Sequence, residues 1–355
     1  MQLTEYKDKK VLITGHTGFK GSWLTIWLEK LGANVIGYAL DPKTEKDNFV
    51  LCNLNNSIKD YRADIRDTAK LFKVIKDEQP EVIFHLAAQP LVIDSYKNPL
   101  ETFEINTQGT VNILEAFRLS ETAKLLIVIT TDKVYENMEW EWGYRENDRL
   151  GGKDPYSASK SAAEIIVRAY NESFFLKAAG KKVVTVRAGN VIGGGDWSEN
   201  RIIPDCIKAL ENKKTIILRN PGATRPWQYV LEPLGGYLLL GDKILNNEIE
   251  SDGAWNFGPN FTNNITVENL VQKIIDIYKS GRYEARINAD ADRETNFLSL
   301  DISKAMSRLK WKPILNFHDS VKFTVEWYNN YRDTNVRSFC LEQIEEYLRI
   351  WNSEN

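Results

Sequence analysis

The sequence predicts an α/β protein, a doubly wound parallel sheet joined to a smaller, discontinuous α/β C-terminal lobe. Three observations carry this reading. Apolar, β-branched runs alternate with helical patterns six times before residue 187, with short connections, and that alternation builds a parallel sheet covered by helices on both faces. A glycine-spaced turn, Gly15-x-x-Gly18-x-x-Gly21, stands between the first strand and the first helix. An acid, Asp41, follows the second strand at once.

Lys9-Lys10-Val11-Leu12-Ile13-Thr14 reads as a buried strand. A helical pattern over 22–31 stops at Gly32, a natural C-cap. Residues 34–40 form the second strand, 60–63 a short third, 68–78 a helix and 81–85 the fourth strand, which enters the small turn Leu86-Ala87-Ala88-Gln89-Pro90. A long amphipathic helix over 100–120, a fifth strand over 124–130, a second long helix over 156–177 and a sixth strand over 182–187 follow. From 188 to 233 the chain is rich in Gly, Asn, Arg and Trp, the texture of loops and short elements around a pocket. Helices are expected at 232–246, 266–278 and 341–351, with a late strand at 254–257 returning to the sheet. The expected division is 1–187, with return segments near 229–258, for the sheet domain, and 188–228 with 259–355 for the small lobe.

The chain has 355 residues, enough to bury a sizeable core, and a net charge of −3 leaves no basic footprint for nucleic acid. Three scattered cysteines (Cys52, Cys206, Cys340) and three histidines (His16, His85, His318) make neither a disulfide framework nor a metal cluster; free thiols in a reducing cytosol are expected. The N-terminus is polar, and no window approaches the ~18 apolar residues of a membrane span, so the expectation is a cytoplasmic protein without a membrane partner. Trp140, Trp142, Trp197 and Trp227 fall in loops, where flat rings either stack on a ring-shaped ligand or anchor the surface.

Between a strand and a helix, glycines permit a tight turn and close backbone approach to a pyrophosphate, while the helix N-terminus offers donors and a positive dipole. Asp41, 20 residues past Gly21, is placed to bond a ribose hydroxyl, which favours NAD over NADP; Lys43 pulls weakly the other way. The pattern is that of a Rossmann-type dinucleotide site. Its expected contacts are Gly15, Thr17, Gly18, Phe19, Gly21, Asp41, Asp64 (near the adenine), Ala87 and Ala88, joined by Tyr156 and Lys160. Within the loop, His16 is unassigned, and Lys20 fits a phosphate contact and a solvated side chain equally well.

In Asp154-Pro155-Tyr156-Ser157-Ala158-Ser159-Lys160, the proline suits a first helical position, and Tyr156 and Lys160 share a face four residues apart. Y-x-x-x-K alone is mostly a surface pair. Beside a redox cofactor and a further hydroxyl, the cation favours the phenolate and the tyrosine becomes an acid/base.

These residues resemble the extended short-chain dehydrogenase/reductase superfamily and, within it, the sugar-nucleotide 4,6-dehydratases, closely those acting on CDP-glucose. The signs are Thr14-Gly15-His16-Thr17-Gly18-Phe19-Lys20-Gly21-Ser22-Trp23, His85-Leu86-Ala87-Ala88, Asn106, Thr131-Asp132-Lys133-Val134-Tyr135-Glu136-Asn137, Trp142-Gly143-Tyr144-Arg145-Glu146-Asn147, the Tyr156/Lys160 pair, the run 187–197 and Arg225-Pro226-Trp227-Gln228. Two departures stand out: Tyr229 where His is more usual, leaving one pocket contact in doubt, and Thr131 where Ser is more common.

The resemblance implies an NAD-dependent lyase that oxidises C4 of the hexose, eliminates water across C5 and C6 and reduces C6. In that scheme Thr131 bonds the C4 oxygen, Tyr156 takes the C4 hydroxyl proton, and Lys160 holds down the tyrosine and bonds the nicotinamide ribose. Asp132 donates a proton to the leaving hydroxyl, and Lys133 helps to remove the C5 proton. Arg201 and Arg225 are candidates to clamp the pyrophosphate of CDP-glucose, since guanidinium matches phosphate oxygens with paired donors. Asn190 is expected on a phosphate or sugar hydroxyl, and Arg187 in a structural role. The resemblance further implies a homodimer or dimer of dimers through the helices at 100–120 and 156–177, and a product destined for deoxysugars of surface polysaccharide such as O-antigen. The other readings are a different sugar-nucleotide dehydratase, a 4-epimerase, and a dinucleotide-sensing protein without catalysis.

Overall fold

A computed structural model describes residues 1–354 apart from 177–179, 252, 261–263 and 287–296. Its centre is a seven-stranded, wholly parallel sheet: β1 (Lys10–Thr14), β2 (Asn34–Ala39), β3 (Lys59–Arg62), β4 (Val82–His85), β5 (Leu125–Ile129), β6 (Lys182–Arg187) and, far along the chain, Ala254–Asn256. The spatial order runs from Ala254–Asn256 through β6, β5, β4, β1 and β2 to β3. The order reverses direction between β1 and β4, the kind of switch point at which open α/β sheets bind ligands.

Five of the first six strands are apolar runs with both faces buried, whereas β3, Lys59-Asp60-Tyr61-Arg62 at the edge of the sheet, is only partly buried. Val11 and Ile13 of β1 enter one core and Leu12 the other; Leu125, Ile127 and Ile129 of β5 divide from Leu126 and Val128 in the same way. One face is covered by α1 (Phe19–Lys30), by Leu231–Leu245 and by the C-terminal helices. The opposite face carries α3 (Thr68–Glu78), α6 (Gly109–Leu119) and α7 (Pro155–Tyr170), with α4 (Val92–Lys97) and α5 (Pro99–Phe103) as short intervening turns, while the short α2 (Asn48–Leu51) packs with α1 on the first face.

Five expectations change. The first helix begins at Phe19, three residues early, because Gly18 takes the extended N-cap position inside the glycine loop itself. The helix over 100–120 is interrupted: α5 passes through a wide π turn (Glu104–Gln108) into α6. The helix from 156 also ends in a π turn (Asn171–Phe175), and Lys177 lies outside the described residues. The region 188–233 contains a three-turn helix, α8 (Ile202–Glu211), and the C-terminal part contains a helix over Phe317–Asn330 before the long Val336–Glu354. Tyr229 is no pocket residue: it is wholly buried, and its hydroxyl donates to Gln343 Oε1 at 2.8 Å.

Trp197 and Trp227 are likewise core. Trp197 meets Tyr328 and Tyr331 edge-on, and Trp227 Nε1 donates to Ile265 O. Trp142 is exposed, in edge contact with Trp140, which stacks on Tyr144. The three thiols are free and buried.

Candidate active site

The site residues converge because parallel strands deliver their following loops to one edge. Gly15–Gly21 follows β1, Asp41 follows β2, Asp64 follows β3, Ala87–Ala88 follow β4, Thr131–Lys133 follow β5 and Asn190 follows β6.

Glycine is required at two points of the first loop. Gly15 has φ +79°, and a Cβ there would stand 2.7 Å from the Ala87 backbone nitrogen. At Gly21 it would stand 2.2 Å from Gly15 O, backbone against backbone. Thr17 Oγ1 donates to Leu40 O at 3.0 Å, tying the loop to the end of β2 beside exposed Asp41. No side chain caps the N-terminus of α1 and no acid stands in its first turn, so its N–H groups and dipole face the loop without competition. These features fit a dinucleotide diphosphate. Asp64 is drawn to Arg66, whose guanidinium holds its carboxyl below the usual range.

His16, unassigned from sequence, props the loop from beneath. It is buried against Gly37, where a Cβ would overlap its ring, and Nε2 meets Asp60 Oδ1 at 2.8 Å; burial lowers its pKa even so. His85 is bonded by Thr14 Oγ1 at 2.8 Å, and burial, helped by the charge on Lys160, pushes it down to about 3.

Across the cleft, Asp154 caps α7 by accepting from Ser157 N, and Pro155 opens the helix. This aims Tyr156 and Lys160 at the end of β5. The Thr131 hydroxyl lies near enough to the Tyr156 phenol to lower its pKa, and Thr131 Oγ1 donates to Asp132 Oδ1 at 2.9 Å. Lys160 Nζ donates to Ile129 O at 3.0 Å. Burial raises Tyr156 to about 12; the Thr131 hydroxyl and the Arg201 guanidinium pull it back, and Asp132 and Asp154 add to the rise. Burial brings Lys160 down to about 8.

Asp132 is almost fully buried, Asn190 Nδ2 approaches its Oδ2 at 3.5 Å, and the Cα face of Gly189 closes over it. Asn190 reaches it from a left-handed backbone, φ +50°. Lys133 is half-buried, its backbone N–H on Thr131 Oγ1 at 3.3 Å. Arg201, at the start of α8, pairs with Asp196 at 2.8 Å while its charge reaches Tyr156. Arg225 stands on the short strand Thr224–Pro226, donating to Thr224 O.

Lys20 belongs to the cleft. Burial, then the Arg201 charge, bring it down to about 8, with Asp132, Lys160 and Asp196 also acting on it. Sequence reasoning missed Glu164, which binds Arg187 at 2.8 Å in the interior. Its spacing, four residues after Lys160, was the available signal.

A family model described as GDP-mannose 4,6 dehydratase matches residues 12–324. The chain belongs to this 4,6-dehydratase family. A CDP-glucose 4,6-dehydratase from Salmonella typhimurium is 41% identical over 348 residues, covering 97% of each chain. A dTDP-glucose 4,6-dehydratase from the same organism is 27% identical, covering 93% of this chain and 96% of its own. Among solved structures, a Streptomyces venezuelae dTDP-glucose 4,6-dehydratase superposes with a TM-score of 0.76 at 23% identity, over 91% of this chain and 98% of that one. A Thermus thermophilus UDP-glucose 4-epimerase also gives 0.76 at 23% identity, over 92% and 99%. For this 4,6-dehydratase, the last two likenesses speak to the fold alone.

Proposed function

We propose that the protein is an NAD-dependent hydro-lyase that converts CDP-glucose to CDP-4-keto-6-deoxyglucose. The observation that carries this reading is the seating of Asp132 against Thr131, which itself meets Tyr156. Alcohol oxidation and C4 epimerisation need only the Thr131, Tyr156 and Lys160 set; a buried acid beside it supplies the proton that an elimination requires. The choice of CDP-glucose rests on the 41% identity with the Salmonella enzyme.

Gly15, Thr17, Gly18, Phe19, Gly21, Asp41, Asp64, Ala87 and Ala88 would hold NAD, with Lys160 on its ribose. When bound, NAD supplies the oxidant for C4 and the reductant for C6. Thr131 orients the C4 oxygen while Tyr156, in its phenolate form, takes the hydroxyl proton. With a C4 ketone in place, the C5 proton is acidic and Lys133 accepts it. The C6–O bond breaks as Asp132 delivers its proton to the departing oxygen, so water leaves. Lys133 returns a proton to C5 as C6 is reduced, the C4 ketone stays in the product, and the proton held by Tyr156 passes through solvent to Asp132, which restores both groups. Arg201 and Arg225 would clamp the diphosphate, with Asn190 on a phosphate or sugar hydroxyl. The small lobe, 188–228 with 259–355, would then hold the nucleotide against the cofactor domain of 1–187 and 229–258.

A homodimer or dimer of dimers is supported by the exposed apolar residues Tyr96, Leu100, Leu119, Ile165 and Leu176 on the α4–α7 side. No helix among the described residues is long and apolar enough to cross a membrane, which supports a cytoplasmic site. A role in deoxysugar supply for O-antigen-type polysaccharide follows from the product's chemistry.

Incubation with NAD and a panel of CDP-, dTDP-, UDP- and GDP-hexoses, read by NMR, tests the reading. CDP-glucose should give the 4-keto-6-deoxy sugar. Recovery of the C4 epimer, or turnover of another nucleotide sugar only, would refute it. Tyr156→Phe should lower turnover by about 10²–10⁴-fold while leaving substrate binding in place; unchanged turnover would refute the acid/base role of Tyr156, and NAD binding with no turnover of any sugar in the panel would favour a sensing protein.

A further inference from the structure

We propose that Glu164 is a positioning residue of this active site, fastening the Tyr156–Lys160 helix to the ends of β5 and β6 and holding Lys160 in its ammonium form. The inference rests on the reading of Tyr156 and Lys160 given above.

Four donors converge on the Glu164 carboxylate in the interior. Oε1 accepts from Thr130 Oγ1 at 2.6 Å and Arg187 Nε at 2.8 Å; Oε2 accepts from Thr185 Oγ1 at 2.7 Å and Arg187 Nη2 at 2.9 Å. Thr130 lies between Ile129, whose carbonyl receives the Lys160 ammonium, and Thr131, which meets the Tyr156 phenol. A single carboxylate therefore fixes α7 to the backbone that positions both reacting side chains. The fastening continues outward: Arg187 Nη1 donates to the Tyr135 hydroxyl at 2.7 Å and to Glu146 O, and Tyr135 donates to Asn256 Oδ1 on the last strand of the sheet.

Stability alone is a weak reason for such a group. Buried ion pairs are commonly replaceable by apolar side chains at little cost, whereas a pair kept beside a working cation has a field to supply. Glu164 sits one helical turn from Lys160 on the same face. Burial lowers Lys160, and Glu164 is the charge that opposes it. Burial would raise Glu164 itself, but Arg187, Thr130 and Thr185 outweigh that and keep it below the usual carboxylate range. The other groups do not substitute. Lys20 from α1 repels Lys160, and His85 at the end of β4 is held neutral. Tyr156 is raised by burial, while Asp132 after β5 and Arg201 at α8 act on that phenol.

The experiment is the pH dependence of turnover with CDP-glucose and NAD. The wild type should lose activity on the basic side as Lys160 gives up its proton. Glu164→Gln, close in shape but uncharged, should move that limb down by about one pH unit. Glu164→Asp, which withdraws the charge by one methylene and keeps the same partners, should move it less, in the same direction; it decides the matter if the glutamine variant does not fold. A uniform loss at every pH with the limb in its wild-type place, in either variant, overturns the proposal. In Lys160→Arg, whose guanidinium stays charged throughout, the limb should vanish along with most of the turnover. Full turnover with an unmoved limb there would sink the assignment of Lys160 itself, a failure distinct from that of Glu164.

Discussion

Gly189→Ala isolates the elimination step. The new Cβ would stand 1.8 Å from Asp132 Oδ2 and 2.1 Å from its Cγ, about 1.6 Å short of an ordinary 3.4 Å contact with the oxygen. Gly189 is fixed from behind, since its carbonyl accepts from Gln228 Nε2 at 2.8 Å, so the carboxyl group has to move. Rotation breaks the Thr131 bond at 2.9 Å and carries the acid away from the hydroxyl it must protonate. Displacing a reacting group by about 1 Å costs on the order of 10²-fold, so 4-keto-6-deoxy product should form at least about 10²-fold more slowly. Oxidation at C4 uses Tyr156 and Thr131 and should be spared. The assay mixes variant, NAD and CDP-glucose, quenches with borodeuteride and reads deuterium at C4, alongside NMR of the accumulated product. Wild-type product formation, or equal loss of both signals, would refute the placement of Asp132 as the acid for the leaving hydroxyl.

Gly21→Ala sets a Cβ 2.2 Å from Gly15 O and should abolish NAD binding by titration calorimetry while leaving a folded protein, because the collision lies within the phosphate loop. His85, pushed down to about 3, should keep a neutral imidazole in ¹⁵N NMR from pH 8 to pH 5; protonation in that interval would contradict its burial between Thr14 and Thr110. Glu232 is raised to about 7 by burial, so the native state binds its proton more tightly than the unfolded chain does. Its stabilising contribution is full below the ordinary carboxyl value of about 4.5 and is lost as pH rises through about 7. Glu232→Gln should therefore flatten the fall in Tm between pH 5 and 7.5.

The sheet was legible because β1, β2, β4, β5 and β6 are short β-branched runs buried on two faces, and because short connections admit few topologies. The return of 254–257 to the sheet was legible too: the Ala254–Asn256 strand pairs with β6. What the sequence hid were features set by distant partners. A π turn leaves no mark on helical periodicity, so the break at Glu104–Gln108 was invisible. The helix Ile202–Glu211 was masked by the glycine- and tryptophan-rich chain around it. Tyr229 looked like a pocket residue by its neighbours, but its partner, Gln343, lies 114 residues away. At the site, spacing assigned the control of Tyr156 to Lys160, whereas the groups that act most on the phenol, after burial, are the Thr131 hydroxyl, Asp132 and Arg201. Lys20 could not be placed from its local sequence, since the charges it faces across the cleft, Arg201 and Asp196, lie far along the chain.

The helix Val336–Glu354 lies along the back of α1. Trp27 meets Tyr347 edge-on, Glu29 pairs with Arg337 at 3.1 Å, and Lys30 pairs with Glu345 at 2.5 Å. These partners are 308 and 315 residues apart in the chain. The phosphate loop is thus short in sequence but long in assembly: the helix that presents it is seated only after the chain has closed on itself. Loop closure on that scale is slow, so the ability to bind the dinucleotide should appear late in refolding, well after the sheet.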